Sequence, residues 1–250
     1  MDFDLLKGKI ALVTGGSKGI GRGMSLTLSR FGCDIAVVSR NLEEAQKVAD
    51  EVRGFGVNSM ALTADVTQRS QVQDMVAQAV EKFGRIDVLV SNAGMNIRKP
   101  LLELEENEWD KVIDTNLKGV FLVGQAVGSV MVKQQSGKII NIASVAGIKG
   151  RPSLGAYCSS KGAVIQLTKV MALEWVDANV QVNAIAPSYI ETPMTKDFIS
   201  KKRDVILNRV PMRRLGTERD IDGALLLLSS HYSDFMTGQT IFVDGGSTVS

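Results

Sequence analysis

The chain of 250 residues is 44% hydrophobic and 22% charged, the composition of an ordinary globule, and at 27.0 kDa it is long enough to bury about 70% of its unfolded surface in a single domain. With 29 Lys and Arg against 27 Asp and Glu, the net charge of +2 is too small for the broad basic face that nucleic acid or an anionic membrane requires. Cys33 and Cys158 stand far apart and His231 is the single histidine, which excludes a disulfide framework and a four-ligand zinc site; no metal is expected, and a reducing cytoplasm is.

The first four residues, Met1-Asp2-Phe3-Asp4, are acidic and do not resemble a leader, and no apolar run reaches the roughly 18 residues that span a bilayer. Residues 9–13 then read as a strand and 20–31 as an amphipathic helix. Further strands are expected over 34–39, 58–63, 86–91, 138–142, 180–185 and 240–243, separated by helical patterns over 42–53, 68–83, 109–133, 156–176 and 218–229. The strands are nearly continuous in apolar residues, so they are buried on both faces; this predicts a seven-stranded parallel sheet with helices on both sides, a doubly wound α/β fold of Rossmann type. Ligands in such folds bind outside the carboxyl ends of the strands. The stretch 186–217, with Pro187, Pro193 and Pro211, reads as an irregular lid over that edge.

The segment Thr14-Gly15-Gly16-Ser17-Lys18-Gly19-Ile20-Gly21 falls between the first strand and the first helix. Its glycines permit a tight turn and close approach of a pyrophosphate to the helix amino end, although the spacing is G-x-x-x-G-x-G rather than G-x-G-x-x-G. The same residues contain G-x-S-x-G, the nucleophile elbow of α/β-hydrolases, with Ser17 as nucleophile and His231 as the sole candidate base. Tyr157 and Lys161, four apart at the start of a helix, share one face. Ser144 follows the apolar run 138–142 and so lies on the ligand side of the sheet.

Together these residues resemble the short-chain dehydrogenase/reductase family: Thr14-Gly-x-x-x-Gly-x-Gly21, Asn92-Ala93-Gly94, Asn116, Ser144, Tyr157-x-x-x-Lys161 and Asp244-Gly245-Gly246 occur in order along the whole chain. The resemblance implies that Asn116, Ser144, Tyr157 and Lys161 form a catalytic set, with Asn116 holding a water in a proton relay to Lys161. It also implies cofactor contacts from Gly15, Ser17, Lys18, Gly19, Ile20, Gly21, Ser39, Asn41, Asp65, Val66, Asn92, Gly94, Tyr157, Lys161 and Pro187, with Asp65 at the adenine and Ile190 and Thr192 at the carboxamide. Two positions depart from the family: Ser91 where Asn is usual, and Ser188 where Gly is usual after Pro187. Subunit assembly into a homotetramer through the Trp109 and Tyr157 helices and the last strand is likewise implied.

The chemistry has a physical basis. A phenol with pKa near 10 needs about 4 kcal/mol to ionise freely at pH 7, and an ammonium about 4 Å away at an effective dielectric of 20 supplies roughly that, so Tyr157 is read as acid/base and Lys161 as its partner. Ser144 is placed to hydrogen-bond the substrate oxygen as charge develops. At the end of the second strand, Val37-Val38-Ser39-Arg40-Asn41 lacks the carboxylate that takes a ribose 2′-hydroxyl, while Arg40 and Lys18 suit a 2′-phosphate; NADP(H) is therefore expected. The run Gly94-Met95-Asn96-Ile97-Arg98-Lys99-Pro100 resembles the gluconate 5-dehydrogenase and 2-deoxygluconate 3-dehydrogenase branch more than the 3-oxoacyl-acyl-carrier-protein reductase branch. Arg98 is read as the cation for a substrate carboxylate. A 3-oxoacyl-acyl-carrier-protein reductase or a general carbonyl reductase is the alternative, and a serine hydrolase using Ser17 or a silent dinucleotide sensor is a remoter one.

Overall fold

In the computed structural model, residues 4–192 and 195–249 are described; Met1, Asp2 and Phe3 of the acidic start and Pro193 of the expected lid lie outside them. The seven apolar runs form strands β1 (Ile10–Thr14), β2 (Asp34–Ser39), β3 (Ser59–Thr63), β4 (Val88–Ser91), β5 (Gly137–Ile142), β6 (Val180–Pro187) and β7 (Thr240–Val243). All six pairings are parallel, in the order β3-β2-β1-β4-β5-β6-β7. Successive side chains of a strand point to opposite faces, and both faces are covered. Ala11, Val13, Ile35 and Val37 pack on one side against Met24, Leu28, Val48 and Leu225. Leu12, Ala36 and Val38 pack on the other against Met75, Leu122, Met131 and Met171.

The helices are α1 (Gly19–Arg30), α2 (Leu42–Arg53), α3 (Arg69–Phe83), α4 (Glu106–Ile113), α5 (Gly119–Gln134), α6 (Gly155–Trp175), α7 (Lys196–Arg209) and α8 (Asp222–Ser229). Two expectations change. The single helix read over 109–133 starts earlier, where the side chains of Glu105 and Glu108 form a reciprocal cap, and is interrupted by one wider π-type turn at Asp114–Lys118. The lid read as irregular over 186–217 contains α7. That helix is mostly polar, and among its described side chains Ile199 and Ile206 alone are deeply buried, in a small cluster with Val210 and Leu215. Its departure from helical geometry at Lys202 (φ −135°, ψ 24°) breaks the 3.6-residue rhythm on which a sequence reading depends.

Strand order reverses between β1 and β4, so a crevice opens at their carboxyl ends, where the loops after β1, β4, β5 and β6 meet.

Candidate active site

The loop after β1 is shaped by backbone requirements. Gly15 and Gly19 adopt positive φ of 62° and 50°, which L side chains disfavour. A Cβ at Gly21 would collide with the Gly15 carbonyl oxygen and the Asn92 amide. Helix α1 begins with no side-chain cap and no acidic residue in its first turn, leaving backbone N–H groups and the positive end of the helix dipole facing the crevice. These features fit a pyrophosphate. Asn92 braces the loop from β4, donating through Nδ2 to the Thr14 and Gly15 carbonyls, each at 3.1 Å, while its own N–H donates to Thr14 Oγ1 at 3.0 Å.

At the end of β2, Ser17 Oγ donates to Ser39 Oγ at 2.9 Å and Asn41 caps α2 by accepting from the Glu44 N–H at 3.1 Å. Arg40 is exposed and has no carboxylate partner among the described residues, whereas Lys18 is already paired with Glu44 at 2.7 Å. The Asp65 carboxylate accepts from the Thr67 N–H and hydroxyl at 2.9 and 2.8 Å, and Val66 packs against Gly119, where a Cβ would meet it at 2.7 Å.

The loops after β4 and β5 then meet at Tyr157, through Arg98 and Ser144. Ser144, two residues past β5, caps its own short turn by accepting from the Ala146 N–H at 3.2 Å and donates to the Pro187 carbonyl at 3.4 Å. Tyr157 and Lys161 occupy successive turns of α6, with Lys161 Nζ 5.8 Å from the phenol ring centroid and donating to the Ile142 carbonyl at 2.6 Å. Burial pushes the Tyr157 phenol above its ordinary pKa, against the opposing effects of a Ser144 hydrogen bond and the Arg98 charge. Burial also pushes Lys161 down, to about 8. The ammonium therefore braces the end of β5, and in this arrangement the phenol is not lowered as charge proximity alone would predict.

Asn116 lies in the π-type turn with 0% exposure. Its Oδ1 accepts from the Met95 N–H at 2.8 Å, and its Nδ2 donates to the Met95 carbonyl at 2.9 Å and to Ser160 Oγ at 3.1 Å; Ser160 in turn donates to the Tyr157 carbonyl at 2.8 Å. Both amide hydrogens are thus used by protein. Gly94 fills the space beside it, since a Cβ there would stand 3.2 Å from Asn116 Oδ1 and 3.7 Å from Lys161 Nζ. Ser188 needs no glycine, because its φ is not in the left-handed region, and its N–H donates to the Val243 carbonyl at 3.1 Å. Buried Ser91 keeps a hydroxyl without a partner among the described residues. Ile190 is buried and bridges Gly216, and Thr192 is tied to Thr195, N–H to Oγ1 at 3.0 Å.

The hydrolase alternative fails on placement. His231 follows α8 on the turn that carries Asp234, which pairs with Lys138 Nζ at 2.7 Å near the amino end of β5. Ser17 sits beyond the carboxyl end of β1, at the opposite edge of the sheet. Among the described residues no cluster of three or more His, Cys, Asp and Glu is arranged to hold a metal, and no helix is long and apolar enough to cross a membrane.

The short chain dehydrogenase family model matches residues 9–203. The chain belongs to that family. It is 40% identical to the 3-oxoacyl-acyl-carrier-protein reductase of Thermotoga maritima over 98% of this chain and 99% of the relative, and 40% identical to the 2-dehydro-3-deoxy-D-gluconate 5-dehydrogenase of Dickeya dadantii over 96% of each. Among solved structures, a gluconate 5-dehydrogenase from Burkholderia cenocepacia in complex with NADP and tartrate superposes with TM-score 0.96 at 38% identity, covering 100% of this chain and 98% of that one. This short-chain dehydrogenase is accordingly an oxidoreductase with a nicotinamide-cofactor fold. Thr14, the first residue of the glycine motif, accepts from the N–H groups of Asn92 and Ala93. Two residues that the sequence motifs do not mark support the site from outside it: Ser160, between Asn116 and the Tyr157 turn, and Phe198, whose ring meets Arg98. Ser160 was legible as a neighbour of Tyr157 on a helix, but Phe198 carried no local signal.

Proposed function

We propose that this enzyme transfers hydride between NADP(H) and a secondary alcohol or its ketone on a sugar acid of the gluconate and 5-ketogluconate type, within one catalytic domain spanning 1–250 whose lid covers 186–217. The observation that carries the substrate reading is Arg98. Its guanidinium is near enough to the Tyr157 and Tyr189 phenols to feel both, burial lowers its pKa, and it has no carboxylate partner among the described residues. A guanidinium that is open to solvent on one side, unpaired and within electrostatic reach of the reacting hydroxyl suits a carboxylate, which it holds through a bidentate fork. The relatives acting on gluconate and deoxygluconate acids, and the tartrate in one of them, support this.

Bound NADP(H) supplies the hydride donor or acceptor and, when oxidised, a positive charge near the phenol. In this reading Tyr157, ionised to the phenolate in the oxidation direction, takes the proton of the substrate hydroxyl on Oη and, as the neutral phenol, gives it to the substrate oxygen during reduction, and Ser144 Oγ donates to the substrate oxygen as its negative charge grows. Lys161 holds the end of β5, and its ammonium, 5.8 Å from the centre of the phenol ring, supplies positive charge that favours the phenolate over the phenol. Asn116 positions the turn that carries Met95 and, through Ser160, the Tyr157 backbone. The Gly15–Gly21 loop cradles the pyrophosphate, Pro187, Ile190 and Thr192 border the nicotinamide, and Arg40 takes the 2′-phosphate. A homotetramer in the cytoplasm completes the reading, supported by the exposed Phe121, Val170 and Leu173 on α5 and α6.

Reduction of a 3-oxoacyl thioester on acyl-carrier protein is the second reading, favoured by the Thermotoga relative. Steady-state kinetics of Arg98→Ala separate the two. A selective loss of about 10-fold or more in kcat/KM on gluconate-type acids, with neutral polyols and ketones unaffected, is expected; equal losses on charged and neutral substrates would reject the carboxylate reading.

A further inference from the structure

Arg98 leaves the loop after β4 and lays its guanidinium on the face of Phe198, with Cζ 3.7 Å from the ring centroid. A guanidinium that close to a ring is held flat and gives up much of its rotamer freedom. The partner is uncharged, so the arginine keeps its full charge for a ligand; a carboxylate in the same place would have cancelled it. Among the described residues Arg98 makes no ion pair, unlike Lys99 beside it, which is committed to Glu108 at 2.9 Å.

Phe198 belongs to the first turn of α7. The apolar contacts of α7 form a small cluster with Tyr189 and Leu215, apart from the two clusters that flank the sheet, and its middle bends at Lys202, whose Nζ lies 5.8 Å from the same ring. Few apolar contacts hold this helix down, which is the signature of a segment with low local stability. Tyr189, at the base of α7, also carries Arg151 over its ring at 5.4 Å, and the Arg98 and Arg151 loops are joined by the Lys99 N–H donating to the Ser153 carbonyl at 3.1 Å. The Arg98 and Phe198 stack therefore joins α7 to the loops that border Tyr157.

We propose that Phe198 is the positioning residue for Arg98: its ring face fixes the guanidinium for an anionic substrate and, through the same contact, fastens α7 across the cleft with or without that substrate. The substrate half of this rests on the carboxylate reading of Arg98; the clasp half does not.

Two measurements on the full chain test it. The first is steady-state kinetics with NADP+ on gluconate and on a neutral polyol for Phe198→Leu, Phe198→Tyr, Arg98→Ala and the Arg98→Ala/Phe198→Leu double variant. Phe198→Leu is expected to raise KM for gluconate about 10-fold with kcat within threefold and the polyol unchanged, Phe198→Tyr to restore KM, and the double variant to equal Arg98→Ala. Equal effects of Phe198→Leu on both substrates, or an added loss in the double variant, overturn positioning. The second is trypsin cleavage at Lys201, Lys202 and Arg203, read without substrate. Phe198→Leu and Arg98→Ala are each expected to speed it by a similar factor of about 5 or more, with no further gain in the double variant; unchanged cleavage in either single variant overturns the clasp. If Arg98→Ala lowers turnover of acid and polyol equally while cleavage follows the expected pattern, the carboxylate reading and the positioning half fail, and the clasp stands.

Discussion

Replacing Asn116 by Ala probes the joint on which the site is assembled. The substitution removes one acceptor and two donors at once: Met95 loses partners for both its N–H, bound at 2.8 Å, and its carbonyl, bound at 2.9 Å, and Ser160 loses a donor at 3.1 Å. Each enclosed polar group left without a partner costs about 1–3 kcal/mol. Because Met95 is only partly buried, water restores part of this, and the low half of the range applies to its two groups; a total of about 2–4 kcal/mol follows. That is a large share of the roughly 5–15 kcal/mol that keeps a domain folded. Urea unfolding of wild type and Asn116→Ala at one fixed protomer concentration is the assay, with kcat measured in parallel. A midpoint shift worth at least 2 kcal/mol at unchanged slope is expected, with loss of kcat. Stability within 0.5 kcal/mol of wild type, as an order-of-magnitude bound for surface changes, would refute the view that this amide ties the β4 loop to α6.

At the cofactor end, Arg40→Asp removes charge-assisted hydrogen bonds worth about 1.5–3 kcal/mol and should cost NADPH roughly 10- to 150-fold in affinity, reversing preference toward NADH; an unchanged ratio of the two affinities rejects NADP(H) as the natural cofactor. Glu44→Gln releases Lys18 from its 2.7 Å pair and removes a nearby negative charge, so NADPH affinity is expected to rise about two- to fivefold with NADH unaffected; tighter binding of NADH alone would contradict this. Burial holds Lys161 at about 8 against an ordinary 10.5, so between those values the unfolded chain binds more protons than the native one and raising the pH stabilises the fold. The cost of burying the charge is fully present below pH 8 and is relieved as pH climbs toward 10.5. The unfolding free energy of wild type minus that of Lys161→Met should therefore rise across this window, by about 3 kcal/mol in total. A flat difference would mean that Lys161 titrates normally.

The sheet was legible because a strand covered on both sides must be apolar at every position, as Val88, Leu89 and Val90 show. The strand signal at 86–91 ran early for a specific reason: Ile86 is buried like a strand residue, but Asp87 turns its carboxylate onto the Ile10 N–H at 3.0 Å and pairs with Arg85 and Lys9. Helix α7 was hidden because it buries too little apolar surface to impose a period. The π-type turn at Asp114–Lys118 was hidden because one extra residue in a turn leaves composition unchanged while rotating Asn116 into the site. The positions of Tyr157, Lys161 and Ser144 followed from local spacing on one helix and one strand end. What the side chains touch did not: Lys161 finds the Ile142 carbonyl, Lys18 finds Glu44 on the next helix, and Arg98 finds Phe198, all through contacts distant in sequence that the fold alone creates.

The most direct test of the account is the turnover of Tyr157→Phe. This change deletes one oxygen and keeps the ring that packs on α6, so a proton-transfer role predicts a fall in kcat of about a hundredfold or more with NADPH affinity within a few fold of wild type. Retention of more than about a tenth of wild-type kcat, well above the loss expected when an acid/base group is removed, would contradict the central claim that the Tyr157 hydroxyl carries the proton.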